Sequence, residues 1–223
     1  MIPGKWVFLL HKITPMNADT ELMKEHWNNV FENKEETEVS WFQSYPATSV
    51  EFLELFNLPL EANIIDVGGG DSRFIDALLD RGYKNIWLLD ISVKAIERLK
   101  ARLGAKSENV HFVVTDVVDF KPDVKFDFWH DRAAFHFLTS EEQINKYVTI
   151  AENAVATGGY LILGTFSDNG PKKCSGLEIK QYNQASMSKR FESAFDRIKC
   201  IEVEHETPFN TTQNFVFCSF MKK

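Results

Sequence analysis

From residue 63 onward the chain alternates short apolar runs with amphipathic stretches. The runs Asn63–Val67, Asn85–Asp90, Asn109–Val114, Lys125–His130 and Gly159–Thr165 are nearly continuous in hydrophobicity, the pattern of strands covered by helices on both faces. Between them the period shifts to about 3.6. Phe74, Ile75, Leu78 and Leu79 share one helical face, as do Val93, Ile96, Leu99 and Leu103. Gly82 and Gly104 stand where left-handed C-terminal caps belong, and Ser92 is placed to cap an N-terminus. Ser140 with Gln143 has the spacing of a capping box ahead of Ile144, Tyr147, Val148 and Ala151. Repeated βα units of this kind predict a parallel sheet.

Near the C-terminus the alternation stops. Ile198–Glu206 and Gln213–Met221 are strand-like runs with a Pro-Phe-Asn-Thr-Thr turn and no helix between them. Only a hairpin joins two such strands economically, so the last strand is antiparallel to the rest. Upstream, helices are predicted around Glu21–Phe31 and Ser49–Phe56, separated by the aromatic loop Trp41–Pro46. The pattern predicts a doubly wound, Rossmann-like α/β fold. Its sheet has seven strands, six parallel and the last antiparallel in a C-terminal hairpin. Residues 1–18 are expected to be an N-terminal extension and 19–223 the domain. Trp6–Leu10 is too short to cross a bilayer and lacks a secretory cleavage pattern.

Composition narrows the function classes. With 44% hydrophobic residues and 19 Phe among 223 residues, the chain can bury a sizeable core. A net charge of −7 argues against nucleic acid or an anionic membrane as partner. Cys174, Cys200 and Cys218 have no CxxC spacing and no regular histidine partners. That argues against a metal site or a disulfide framework and for a reducing cytoplasm.

The chemistry gathers in Ile64-Ile65-Asp66-Val67-Gly68-Gly69-Gly70-Asp71-Ser72, where a strand runs through three glycines into a helix. Glycine permits unusual dihedrals and close approach of backbone to a ligand. Asp90 follows Gly70 by 20 residues, at the end of the next strand, the spacing at which an acid meets a ribose diol. A dinucleotide fingerprint would place glycine where Arg73 stands, and Asp66 and Asp71 would repel a pyrophosphate. A sulfonium nucleoside, which has an ammonium and no phosphate, suits those acids better.

Asp66-Val67-Gly68-Gly69-Gly70 resembles motif I of the class I methyltransferases, Asp90 their motif II acid, and Thr115-Asp116-Val117 their adenine-contacting loop. The resemblance extends over about residues 20–223 and implies S-adenosylmethionine as cofactor. It places Asp66 near the cofactor amine, Asp90 on the ribose and Asp116 at the adenine amino group. Gly68, Gly69, Gly70, Ile91, Val117, His130 and Trp41 are implied contacts of the same cofactor. Glu25–Phe31 with Val39–Gln43 is similar to the amino-terminal segment of the elongation-factor lysine methyltransferases and the thiopurine S-methyltransferases. This makes Trp41 and Tyr45 lid candidates. Trp129-His130-Asp131-Arg132-Ala133 is nearer the thiopurine group's Asp-Arg-Ala pattern than the lysine group's Asp-Lys-Gly-Thr.

His130, Asp131 and Arg132 are expected in the crevice beyond the strand ends. His130, Asp131 and His136 are the catalytic candidates, either histidine serving as a base if the acceptor must lose a proton. Against this, Asp131 and Arg132 can form a structural pair and His136 can pack under the next helix. Transfer from a sulfonium needs alignment more than a catalytic dyad. The polar loop Asp168–Gly176 is expected to shape specificity, with Cys174 an ordinary loop cysteine, and His205–Pro208 to serve the hairpin turn. The expected function is methyl transfer to a small thiol, hydroxyl or amine. Protein lysine methylation and non-catalytic cofactor binding are the alternatives, and the sequence does not set the oligomeric state.

Overall fold

The computed structural model describes residues 18–223. The extension expected over residues 1–18 lies, but for Ala18, outside the described residues. Strands β1 (Asn63–Val67), β2 (Asn85–Asp90), β3 (Val110–Val114), β4 (Phe126–Arg132) and β5 (Val155–Phe166) pair in parallel. A two-residue hairpin follows, β6 (Lys173–Cys174) with β7 (Leu177–Glu178), and then the long hairpin β8 (Phe195–Glu206) with β9 (Thr212–Lys222). The large sheet has the order β3-β2-β1-β4-β5-β9-β8, and β9 is antiparallel to both of its neighbours. The predicted seven-stranded α/β sheet with one reversed strand is therefore the fold observed.

The helices are α1 (Ala18–Asn33), α2 (Ala47–Leu55), α3 (Phe74–Asp80), α4 (Val93–Leu103), α5 (Glu141–Ala154) and α6 (Gln184–Phe191). Two apolar cores sandwich the sheet. One joins Leu53, Phe74, Leu78, Ile96 and Leu99 of α2, α3 and α4 to Ile64, Phe128 and Phe217 of the sheet. The other joins Ile144, Tyr147 and Ala151 of α5 and Met187 and Phe191 of α6 to Ile65, Trp129 and Leu163. Because β1 and β4 are neighbours while α3 and α5 cover opposite faces, a crevice opens beyond their carboxyl ends.

The punctuation works as the sequence predicts except at Gly104. Ser92 accepts from the Ala95 N–H, Ser140 and Gln143 complete both halves of a capping box, and Gly82 has positive φ, whereas Gly104 caps α4 with φ 56° and ψ −130°, outside the left-handed helical region expected for it. Helix α6 is not apparent from periodicity, since only Met187 and Phe191 of its eight residues are buried. Its signal was the Asn183–Ser186 box.

The cysteine expectation needs correction. Cys200 and Cys218 stand opposite each other in the β8–β9 register and form a disulfide, while Cys174 is free and buried. Sequence spacing missed the pair because hairpin register, not a local motif, brings residues 18 apart into contact. The cysteines therefore do not argue for a reducing compartment. Among the described residues no helix is long and apolar enough to cross a membrane, and no cluster of three His, Cys, Asp or Glu could hold a metal ion.

Candidate functional site

The carboxyl ends of β1, β2 and β3 each deliver an acid to one cavity of about 210 Å³. After β1 the chain turns through Gly68 and Gly70, both with left-handed φ, near +63° and +56°. A Cβ at Gly68 would lie 2.4 Å from the Ala134 methyl, at Gly69 2.5 Å from Asp66 Oδ2, and at Gly70 2.9 Å from Phe31 Cζ. The glycines thus make room for the protein's own side chains as well as exposing backbone to the cavity.

Asp66 Oδ1 lies 2.7 Å from His130 Nδ1, and its Oδ2 accepts from Ser72 Oγ at 3.1 Å. Asp90 Oδ2 accepts from the Gly70 N–H (2.9 Å) and its Oδ1 from the Ser92 N–H (2.7 Å). Burial pushes the Asp90 carboxyl up to about 7, against the pull of those two N–H groups. Asp116 accepts from the Val118 N–H (3.1 Å) and from Thr20 Oγ1 (3.3 Å), and burial raises its pKa as well. Ile91 and Val117 complete the wall beside these acids.

This donor set can be tested against the implied cofactor. The arginines near the glycine loop are engaged: Arg73 pairs with Glu36 at 2.6 Å, Arg98 with Asp71 at 3.1 Å and Arg102 with Asp76 at 2.6 Å. Among the described residues, a phosphate against the glycine loop would meet Asp66 and Asp90, and the arginines beside that loop are already paired. An adenosyl sulfonium, whose amine, adenine amino group and ribose hydroxyls all donate, fits. One step of the sequence reading changes: Asp71 is neutralised by Arg98, so the discrimination rests on Asp66 and Asp90.

Helix α1 covers the cavity. Thr20, Met23, Trp27 and Phe31 line it, and Asn28 Oδ1 accepts from Ser92 Oγ (2.9 Å) and the Lys94 N–H (3.3 Å), pinning α1 to the start of α4. Trp41 meets Trp27 and Phe31 edge to face, at 5.7 and 6.4 Å between centroids. Tyr45, the other lid candidate, is 52% exposed and accepts from Arg81, away from the cavity. Pro46 takes its place in the wall.

At the end of β4, strand alternation separates residues that are adjacent in sequence. His130 faces the cavity with both ring nitrogens engaged, Nδ1 at Asp66 and Nε2 2.9 Å from Ser49 Oγ. Asp131 faces the opposite core. It accepts from the N–H groups of Ala134 (2.9 Å) and Phe135 (3.1 Å) and from Tyr147 OH (2.7 Å), which in turn accepts from Trp129 Nε1. It neither lines the cavity nor pairs with Arg132, contrary to both sequence readings. Arg132 returns to the cavity, donating to the Trp41 carbonyl at 3.0 Å with its guanidinium 5.2 Å from the Phe215 ring centroid.

His136 also stands outside the cavity wall. Its ring is buried against Phe166 and Phe137, and its Nδ1 accepts from the Phe166 N–H at 3.4 Å. Burial, then the nearby Arg132 charge, pushes it down to about 3, too weak a base for catalysis. Cys174 is a wall residue, not an ordinary loop cysteine; burial pushes its thiol up to about 12. His205 does more than serve a turn, since its Nε2 lies 2.7 Å from the Ser40 carbonyl and ties the long hairpin to the segment before Trp41. Trp27, Phe137 and Ser49 escaped the sequence reading, although Trp27 and Phe31 lie four apart on one face of α1.

Comparison with known proteins agrees with this geometry. Residues 64–159 match the model of a methyltransferase domain. A malonyl-[acyl-carrier protein] O-methyltransferase of Ilyobacter polytropus is 29% identical over 105 residues, 47% of this chain and 39% of that protein. An eEF1A lysine and N-terminal methyltransferase of Mus musculus is 28% identical over 160 residues, 68% of this chain and 23% of that protein. The chain thus matches well under half the length of these two curated relatives. The N-methyltransferase NodS of Bradyrhizobium japonicum, solved in complex with S-adenosyl-L-homocysteine, superposes with a TM-score of 0.65 at 15% identity, covering 87% of this chain and 97% of that one. The match to a methyltransferase domain over residues 64–159, together with these relatives, supports a class I S-adenosylmethionine-dependent methyltransferase, and the solved structures share its fold.

Proposed function

We propose that the chain transfers the methyl group of S-adenosylmethionine to a small-molecule thiol, hydroxyl or amine. In this reading Asp90 accepts from the ribose diol, Asp66 faces the cofactor amine with His130 and Ser72 holding it, and Asp116 meets the adenine amino group. The backbone of Gly68–Gly70, with Ile91, Val117 and Trp41, encloses the rest. The bound cofactor supplies an activated methyl group; the chain's residues bind, orient and exclude water. The observation that supports the small-molecule reading is the aromatic wall of Trp27, Phe31 and Trp41, which lines the cavity and narrows it over the glycine loop.

The eEF1A-directed relative favours a second reading, methylation of a protein lysine. Calorimetric titration with S-adenosylmethionine tests the cofactor assignment, and absence of binding by folded protein would refute it. Incubation with labelled cofactor and separate metabolite and protein fractions tests the acceptor. Label confined to the low-mass fraction is expected; label confined to protein would replace this proposal by the lysine reading.

A further inference from the structure

Among the described residues, Arg132 is a buried cation of the cavity wall without a counter-ion within ion-pair distance. Its Nη1 donates to the Trp41 carbonyl, its plane packs near Phe215, and its Nη2 is buried with no hydrogen-bond partner. The carboxylate whose charge it feels is Asp66, but both oxygens of Asp66 are already engaged by His130 and Ser72. Leaving a charged donor unsatisfied in a dry site is unfavourable by kilocalories, so such a group points to a ligand that completes it.

Among the described residues, the candidate bases near Arg132 are either engaged or turned away. Both ring nitrogens of His130 are engaged, Nδ1 2.7 Å from Asp66 Oδ1 and Nε2 2.9 Å from Ser49 Oγ. His136 lies outside the wall, and Asp131 faces the opposite core. Cys174, the remaining titratable side chain of the wall beside Arg132, is a neutral thiol at working pH. An ammonium placed beside Arg132 would be repelled by it.

Resting on the methyl-transfer reading, we infer that the acceptor is a small molecule whose nucleophile is itself an anion, a carboxylate or a thiolate, held by the free face of the Arg132 guanidinium. Its lone pair forms the new bond to the methyl carbon while the carbon–sulfur bond of the cofactor breaks, the electron pair remaining on sulfur. The negative charge of the acceptor and the positive charge of the sulfonium cancel, and no proton has to leave. This narrows the proposed thiols, hydroxyls and amines to acceptors that arrive ionised.

The test begins with calorimetric binding of S-adenosyl-L-homocysteine; failure here would sink the cofactor reading itself. On the loaded protein, quenching of Trp27 and Trp41 fluorescence is then titrated with butyrate and benzoate, with benzenethiol and 4-nitrobenzenethiol, whose thiols ionise near or below neutral pH, and with butylamine and benzylamine. Methylated product is sought from each when S-adenosylmethionine replaces the product. The acids or the thiols are expected to bind and be methylated, the arm that responds identifying the anion, while the amines are inert. Arg132→Gln should weaken anion binding about tenfold or more and Arg132→Lys less, with cofactor affinity changed by no more than about twofold. Acceptance of amines, indifference of anion binding to Arg132→Gln, or no response to either anionic class with the cofactor product bound would overturn the inference. The wild-type panel decides it alone should the variant not fold.

Discussion

The cofactor end and the acceptor end of the cavity are assembled in different ways. At the cofactor end Asp90 and Asp116 leave neighbouring strands at the same level, each held by a backbone N–H two residues downstream, from Ser92 and Val118. Gly70, 20 residues from Asp90, lies in the adjacent strand's own turn. At the acceptor end the key bonds span long separations. Arg132 reaches Trp41 across 91 residues, His130 reaches Ser49 across 81, and His205 reaches Ser40 across 165. A binding site made mainly of strand-end turns is largely fixed once the sheet forms, although Thr20 of α1 also reaches Asp116 across 96 residues. One made of side chains from α1, β4 and β6 depends on every element docking correctly, and its chemistry can change without disturbing the cofactor.

The sharpest way to break this division is at Asp131, which the structure places beneath the junction of the two ends. Asp131→Ala removes a buried acceptor shared by Tyr147 OH and the N–H groups of Ala134 and Phe135, the turn that packs on Gly68. The expected loss is about 3–5 kcal/mol in urea unfolding. Unchanged stability together with abolished transfer would move Asp131 into the chemistry.

A smaller effect is expected at the cofactor end. Asp90→Ala should weaken S-adenosylmethionine binding about tenfold or more in calorimetry, through loss of a charge-assisted pair of bonds. An unaltered dissociation constant would mean that the ribose lies elsewhere.

The same carboxyl predicts a pH dependence. Its folded pKa is raised to about 7, so between its ordinary value near 3.8 and about 7 the folded protein holds a proton that the unfolded chain has lost. Asp90 therefore favours the fold most at low pH, and that contribution is lost as pH rises to about 7. Ribose hydroxyls donating to the carboxylate reverse the preference by lowering its pKa in the complex. Cofactor affinity should then rise with pH up to about 7 and level off above it, by at most about tenfold per pH unit. Asp90→Asn should remove the dependence; a wild-type profile flat from pH 5.5 to 8 would show that the carboxyl does not meet the ligand.

Legibility followed the same division. The parallel strands, their caps and the acids after β1, β2 and β3 were readable because each depends on signals a few residues apart or on one fixed βα spacing. At β4 the order His130-Asp131-Arg132 was visible, but which of the three faces the cavity depends on strand phase against two different cores. Reading them as one cluster grouped side chains that point apart. The Cys200–Cys218 bridge was hidden because register between β8 and β9 follows from a turn whose geometry composition does not specify. Arg132 could be seen in the crevice, yet its lack of a partner is a statement about space that no spacing rule contains.

The smallest expected effect tests the acceptor end from its back wall. His136 reads in sequence as a possible base, but in the fold it is a neutral ring between Phe137 and Phe166 whose one bond is a 3.4 Å contact from the Phe166 N–H. His136→Phe keeps the aromatic volume and leaves that N–H without its side-chain acceptor, at a cost of about 1–2 kcal/mol in urea unfolding. Turnover with a saturating acceptor should stay within about threefold of wild type, since no proton passes through the ring. A general base contributes about a hundredfold or more, so a loss of that size in a folded variant would return His136 to the reaction and with it the need for an acceptor that surrenders a proton. Near-normal turnover leaves the acceptor end as Arg132 defines it, a site that takes its substrate already charged.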